Sequence, residues 1–151
     1  MLTLAIIKPD ALQGGRAGNI LAHLESQGFV MRALRMTRMT KPEAQTFYEV
    51  HKDRPFYASL VEFMTSGPCI PLALEREDAV THLRTVIGAT DPAEAEEGTI
   101  RKLYAESKER NAIHASDSPE NAAREVEFFF SEAERQRLSG YGRVDPNVGA
   151  R

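Results

Sequence analysis

The chain has 151 residues, of which 42% are hydrophobic and 27% are charged, and this composition excludes a disordered, collagen-like or disulfide-rich protein. The formal net charge of −3 argues against a partner nucleic acid bound through a basic surface. Cys69 is the single cysteine, and no apolar run approaches a membrane span. The sequence therefore predicts a cytoplasmic protein without a membrane partner.

In the first half of the chain, hydrophobic patterning and capping residues predict three strands and three helices. In chain order these are a strand at Leu2–Ile7, a loop at Gln13–Gly18, a helix from Asn19 to Gly28, a strand at Phe29–Met39, a helix from Thr40 to about His51, a helix at Phe56–Thr65 and a strand at Cys69–Leu74. The helix after Thr40 is favoured by a capping threonine followed by Pro42 and Glu43.

The second half predicts two helices, a long loop and a fourth strand. These elements are a helix at Asp78–Ile87, a loop at Gly88–Glu109 with one or two helical turns, a strand at Asn111–His114, a helix at Ser118–Phe130 and further helical turns at Ser131–Leu138. The order indicates an α+β fold, a βαββαβ sandwich whose antiparallel sheet has helices packed on one face. Residues 1–138 are expected to form one domain and residues 139–151 a C-terminal tail.

Common nucleotide and metal motifs are absent. The glycines at 14, 15 and 18 are not followed by Gly-Lys-Ser/Thr, and no Gly-x-Gly-x-x-Gly follows a strand. The four histidines form no His-x-x-x-His pair, and one cysteine gives no Cys-x-x-Cys. Any metal is therefore expected to arrive with a substrate, as magnesium does with phosphates.

His114 is the candidate for chemistry. It ends a short apolar strand, and the loop after it leads to a helix N-terminus, which attracts anions. On that helix Glu125 lies at the flank of the apolar stripe, where its carboxylate can bond one imidazole nitrogen and leave the other free. These local features alone fit a hydrogen-bonded, inert histidine better than a nucleophile.

Basic and aromatic residues at other positions complement an anionic ligand. Lys8 ends the first strand, Arg84 lies in the helix before Gly88, and Arg101 follows Gly98-Thr99-Ile100. Each alone is consistent with a solvated surface charge, whereas convergence on one cleft would indicate phosphate binding. Phe56, just after a proline, fits a base-stacking residue and an ordinary core aromatic equally well.

Six ordered motifs resemble the nucleoside diphosphate kinase family from Leu4 to about Phe130. The most specific is Asn111-Ala112-Ile113-His114-Ala115-Ser116-Asp117, which is similar to the family's Asn-x-x-His-Gly-Ser-Asp around a phosphorylated histidine. The other five are Ile7-Lys8-Pro9-Asp10, His51-Lys52-Asp53-Arg54-Pro55-Phe56, Ser66-Gly67-Pro68, Gly88-Ala89-Thr90-Asp91-Pro92 and Gly98-Thr99-Ile100-Arg101. With this resemblance, His114 is expected to be catalytic.

The resemblance implies a ferredoxin-like fold and a nucleoside diphosphate kinase that transfers the terminal phosphoryl group of ATP, through a phosphohistidine, to nucleoside diphosphates. The residues implied in catalysis are His114, Lys8, Tyr48, Glu125 and Ser116, and those implied in nucleotide binding are Lys8, Phe56, Leu60, Arg84, Thr90, Arg101 and Asn111. His114 would attack through Nδ1 while Glu125, helped by Ser116, holds the other ring nitrogen.

The resemblance also implies Mg²⁺ carried by the nucleotide phosphates, with no metal site of the protein's own. It implies a homo-oligomer, a tetramer or hexamer built from dimers. The chain departs from the family pattern at three places. Ala115 replaces the usual glycine, Lys102-Leu103-Tyr104 lacks the acidic residue that often follows Arg101, and Lys108 replaces a small aliphatic residue at the base slot. The alternative function is a non-catalytic, nucleotide-binding regulatory or scaffold protein on the same fold.

Overall fold

Four antiparallel strands form the sheet in residues 1–138, the part of the chain that the computed structural model describes. They are β1 (Leu2–Ile7), β2 (Val30–Leu34), β3 (Ile70–Glu75) and β4 (Ile113–Ala115), and they lie in the order β2-β3-β1-β4. β1 is central and almost wholly apolar because both faces of the sheet are covered, so its alternating side chains enter two different cores.

Eight α-helices connect and cover the strands within the described residues. They are α1 (Pro9–Gln13), α2 (Ala17–Ser26), α3 (Lys41–Phe47), α4 (Tyr57–Met64), α5 (Ala79–Ile87), α6 (Ile100–Tyr104), α7 (Pro119–Phe129) and α8 (Glu132–Arg137). In residues 1–138 none of these helices has the length and apolar character that crossing a bilayer requires.

The α+β class and the antiparallel sheet are confirmed. The two crossover helices, α2 and α5, pack on one face of the sheet, as predicted, against Ala5 and Ile7 of β1. The opposite face is covered as well, because α3, α4 and α7 bring a second apolar cluster onto Leu4 and Ile6. The second face of the sheet is therefore covered by α3 and α4, which connect β2 to β3, and by α7, which follows β4.

Several predicted boundaries are wrong near the start of the chain. Gln13 ends the short helix α1 instead of opening a loop, and α2 begins at Ala17 rather than Asn19. The second strand is shorter than Phe29–Met39, because regular pairing with β3 stops at Leu34 and Thr37 forms only an isolated bridge with Cys69. Within the strand, a bulge shifts the register between Met31 and Ala33. The predicted helix to His51 ends at Phe47 and continues as a short 3₁₀ turn.

The second half follows the prediction more closely. The long loop contains one short helix, α6, and Ser118 caps α7 by accepting a hydrogen bond from the Asn121 N–H. β4 begins at Ile113 rather than Asn111, because a tight turn at Ala112 precedes it. The predicted C-terminal tail, residues 139–151, lies outside the described residues.

The cap of α3 gives a test of how this helix is held. The Thr40 side chain accepts from the Glu43 N–H, and the Glu43 carboxylate accepts from the Thr40 N–H. Replacing Thr40 with Ala removes one of these bonds, so the free energy of unfolding should fall by about 1 kcal/mol in urea denaturation. Thr40→Ser keeps the hydroxyl and should lose less than half as much; equal losses would contradict the capping account.

Candidate active site

His114 lies in the middle of β4, directly opposite Ile6 of the central strand. Its ring packs edge-on against Phe47, with ring centroids 5.4 Å apart, and faces Tyr48 at 6.1 Å. The side chain is 18% exposed. The imidazole is therefore fixed by a strand on one side and aromatic rings on the other, while one edge remains open to a ligand.

A buried carboxylate holds one nitrogen of this imidazole. Glu125 lies on the buried side of α7, one turn after Ala122. Its Oε1 lies 2.7 Å from His114 Nε2. Ser116, fully buried, donates to the same oxygen at 2.9 Å. Burial raises the pKa of Glu125, but the hydrogen bonds from His114 and Ser116 outweigh it and leave that pKa below its ordinary value.

The three predicted phosphate-binding cations converge on the segment that contains His114. Lys8 Nζ donates to the Asn111 side-chain oxygen at 2.7 Å. Arg101 donates from Nη2 to the Ile113 carbonyl at 2.8 Å, and Arg84 donates from Nη1 to the Ala115 carbonyl at 3.4 Å. These bonds bring the three positive charges to the residues on both sides of His114 in the chain.

Two of these cations, Lys8 and Arg101, are buried, and the pKa of each is lowered further by a neighbouring arginine. Burial, followed by the charge of Arg101, lowers the pKa of Lys8 to about 8. Burial and the charge of Arg84 lower the pKa of Arg101 to about 10. A buried cation without a carboxylate partner gains from an incoming anion, so these perturbations are the electrostatic signature expected of a phosphate site.

Tyr48 follows α3 and buries its hydroxyl, which has no hydrogen-bond partner among the described residues. Burial raises the pKa of this phenol, and the neighbouring Cys69 and Glu125 raise it further. The group therefore stays a neutral hydroxyl that can donate one hydrogen bond. Its ring stands almost perpendicular to the imidazole of His114 at an interplanar angle of 87°.

The remaining predicted residues lie at the margin of this cluster. Asn111 donates to the Thr90 carbonyl at 3.4 Å, which joins the loop after α5 to β4. Phe56 and Leu60 lie one helical turn apart at the start of α4, and Phe56 is 48% exposed and packs on His51 rather than on His114. An exposed aromatic ring fits the base-stacking hypothesis better than the core alternative.

Two features of the site, at Phe47 and Asp10, were not predicted from the sequence, whereas Ala115 was already noted there. Phe47, one of the rings against His114, precedes Tyr48 in the chain and was assigned no role. Asp10 reaches the turn before β4 and accepts from the Ala112 N–H at 3.0 Å. Ala115, in place of the family's glycine, lies in the extended strand β4, so its methyl group requires no unusual backbone conformation.

Residues 1–138 contain no cluster of three or more His, Cys, Asp or Glu side chains that would hold a metal ion. The site described above is instead rich in hydrogen-bond donors and positive charge, which suits anionic phosphate oxygens rather than a bare cation.

Comparisons with known proteins agree with this geometry. The family model described as nucleoside diphosphate kinase matches residues 2–135. A nucleoside diphosphate kinase of Chlorobaculum tepidum is 57% identical over 90% of this chain and 97% of its own length, and one of Chloroherpeton thalassium is 59% identical over 87% and 94%.

Solved structures give the same result. The nucleoside diphosphate kinase of Aquifex aeolicus superimposes with a TM-score of 0.87 at 48% identity, covering 88% of this chain and 96% of its own. A halophilic nucleoside diphosphate kinase from Halobacterium salinarum, in complex with CDP, has a TM-score of 0.85 at 37% identity, covering 89% and 90%.

Fold and relatives together define an enzyme, a nucleotide-dependent phosphotransferase on a ferredoxin-like α+β domain. The chain belongs to the nucleoside diphosphate kinase family. Its activity is accordingly the transfer of the terminal phosphoryl group from a nucleoside triphosphate to a nucleoside diphosphate, a reaction that generally uses a divalent metal.

Gly88 gives a test of how Arg101 is placed. It has φ +88°, and a Cβ built on it would lie 2.6 Å from Thr99 Oγ1, the capping oxygen of α6, while its carbonyl accepts from Arg101 at 3.1 Å. Gly88→Ala should lower the free energy of unfolding by about 2 kcal/mol or more and weaken nucleotide binding, because strain and overlap both displace Thr99.

The matched control is Gly18→Ala, also a glycine-to-alanine change, at a helical position of α2 with nothing within 4 Å of the added Cβ. This variant should be neutral or more stable by up to about 1 kcal/mol. Urea denaturation and calorimetric titration with ADP measure both effects. A Gly88→Ala protein as stable as the Gly18→Ala protein would contradict the close approach.

Proposed function

We propose that the kinase reaction proceeds through a phosphohistidine formed on Nδ1 of His114. The observation that carries this proposal is the hydrogen bond between His114 Nε2 and Glu125, supported by Ser116. It occupies one ring nitrogen, so the neutral imidazole has its proton on Nε2 and its lone pair on Nδ1. In residues 1–138, Nδ1 has no hydrogen-bond partner that would compete for that lone pair.

The reaction consists of two half-reactions at one site. In the first, the Nδ1 lone pair forms a bond to the terminal phosphorus of a nucleoside triphosphate, mainly ATP. The bond from that phosphorus to the bridging oxygen breaks, and the diphosphate leaves with its electron pair. In the second, a terminal oxygen of another nucleoside diphosphate attacks the same phosphorus and releases His114.

Positive charge around His114 supplies most of the stabilisation that such a transfer needs. We propose that Lys8, Arg84 and Arg101 hold the phosphate oxygens and that Tyr48 donates its hydroxyl to the transferring group. Phosphoryl transfer requires an in-line nucleophile and donors around a spread negative charge. The carbonyl-bound positions of the two arginines support this assignment.

The nucleoside part of the substrate is assigned to the margin of the cluster. We propose that Asn111 binds the ribose, that Thr90 contacts phosphate, and that Phe56 and Leu60 line the slot for the base. Stacking on an aromatic ring reads no base edges, which supports broad use of purine and pyrimidine nucleotides. The CDP bound to the Halobacterium salinarum relative supports a nucleotide ligand.

The metal is proposed to be Mg²⁺, which arrives on the nucleotide phosphates as part of the substrate. A homo-oligomer built from dimers is also proposed. Self-association is supported by two exposed apolar residues, Leu34 at the end of the edge strand β2 and Met36 just after it. The single cysteine supports a reducing compartment, the cytoplasm.

The proposed intermediate can be observed by intact mass. Purified protein mixed with Mg²⁺ and ATP should gain one acid-labile phosphoryl group, and GDP should then remove it. His114→Ala should remain unmodified because it lacks the nucleophile, whereas His23→Ala, which removes a histidine on α2 away from the site, should behave as the wild type. Nucleotide binding without phosphorylation of the wild type would favour the scaffold alternative.

The lowered pKa of Lys8 predicts a pH dependence of nucleotide binding. Below about pH 8 Lys8 carries its charge, and above that pH the charge is lost. The second ionisation of a phosphate group has a pKa of about 6, so the phosphates are almost fully ionised throughout this range. The Kd for ADP, measured by calorimetry, should therefore rise roughly tenfold between about pH 7 and about pH 9. Lys8→Gln should bind weakly at both values; the same pH dependence in this variant would contradict the assignment.

A further inference from the structure

Ala112, two residues before His114, has a strained backbone. Its φ is +74°, and the Ile113 N–H donates to the Asn111 carbonyl at 2.9 Å across it. This is a γ-turn with a positive central φ, a rare and strained conformation for a residue with a side chain. The turn is fully buried and lies directly where β4 begins.

Two hydrogen bonds from the segment after β1 hold this turn. The Asp10 Oδ2 accepts from the Ala112 N–H at 3.0 Å, and the Ala112 carbonyl accepts from the Lys8 N–H at 2.9 Å. Asp10 is only 4% exposed, so its carboxylate is taken out of water to make this contact. A backbone bond such as that of Lys8 is available to any residue, whereas the bond to the Ala112 N–H depends on the Asp10 side chain.

The turn sits between two parts of the proposed site. On its N-terminal side, the Asn111 side chain accepts from Lys8 Nζ. On its C-terminal side, Ile113 pairs with Ile7, and His114 is the next residue in the ladder. A change of Ala112 to an ordinary negative φ would redirect both neighbours together.

We propose that Asp10 is a positioning residue, whose carboxylate holds Ala112 in its left-handed conformation and thereby sets the geometry with which Asn111 and His114 meet the nucleotide. The inference rests on the proposed role of His114. Asp10 acts through the Ala112 backbone, since its carboxylate bonds the Ala112 N–H and not the imidazole. Its charge has a separate effect, since it offsets part of the lowering of the Lys8 pKa that burial and Arg101 cause.

The test is a double-mutant cycle in which glycine replaces the strained residue, because glycine adopts a positive φ without the penalty of a Cβ. The rate of His114 phosphorylation by Mg²⁺-ATP is measured by rapid quench under single-turnover conditions, per folded molecule. Asp10→Ala should slow it roughly tenfold, and Asp10→Ala combined with Ala112→Gly should return to within about threefold of the wild type.

Two further variants separate positioning from general destabilisation. Asp10→Asn keeps an oxygen that can accept from the Ala112 N–H, so its rate should stay within about threefold of the wild type. Thr3→Ala removes a fully buried polar side chain from the far end of β1, and it should lower stability without changing the rate per folded molecule.

Three results would overturn the inference: a folded Asp10→Ala protein at the wild-type rate, a double variant as slow as Asp10→Ala, or a folded Asp10→Asn protein slowed tenfold or more. If Asp10→Ala does not fold, the rate of Asp10→Asn decides the question. Peptide mapping of the wild-type phosphoprotein separates a failure of the proposed function from a failure of this inference. Phosphate at another residue contradicts the proposed function and this inference together, whereas phosphate at His114 leaves the rates to decide on Asp10.

Discussion

The hydrogen bond between His114 Nε2 and Glu125 is the contact on which the site depends. It requires α7 to pack on the sheet face opposite α2 and α5, so that a carboxylate flanked by apolar residues reaches β4. Removing a carboxylate from water costs free energy unless the carboxylate accepts hydrogen bonds. The Ser116 hydroxyl donates one to the Glu125 oxygen that also contacts His114. The packing of α7 in the second core therefore also sets the orientation of the histidine.

The cations around His114 are bonded to neutral acceptors within residues 1–138. Arg101 donates hydrogen bonds to the carbonyls of Gly88 and Ile113, and Lys8 donates one to the side-chain oxygen of Asn111. Carbonyl oxygens fix the direction of a guanidinium or ammonium group without cancelling its charge. The cluster of positive charge is thus arranged in advance for an anion. Burial and a neighbouring arginine lower the pKa values of Lys8 and Arg101, and for Lys8 the charges of Asp10 and Glu109 offset only part of this lowering.

The sequence predicted most of the elements, and it placed Glu125 correctly because helical periodicity is a local property. It could not show that Lys8, Arg84 and Arg101 all bond to residues 111–115, because residues so far apart in the chain become neighbours only when the sheet forms. It also missed the strained turn at Ala112. Alanine carries no signal for a positive φ, and the partner that holds the turn, Asp10, lies 102 positions away.

The tautomer of His114 is the measurement that tests the central claim most directly. Nitrogen-15 NMR of imidazole-labelled protein, at a pH where the ring is neutral, distinguishes a proton on Nε2 from one on Nδ1. The account predicts the proton on Nε2, donated to Glu125, with Nδ1 bare and ready to attack phosphorus. A proton on Nδ1, with Nε2 bare, would contradict it.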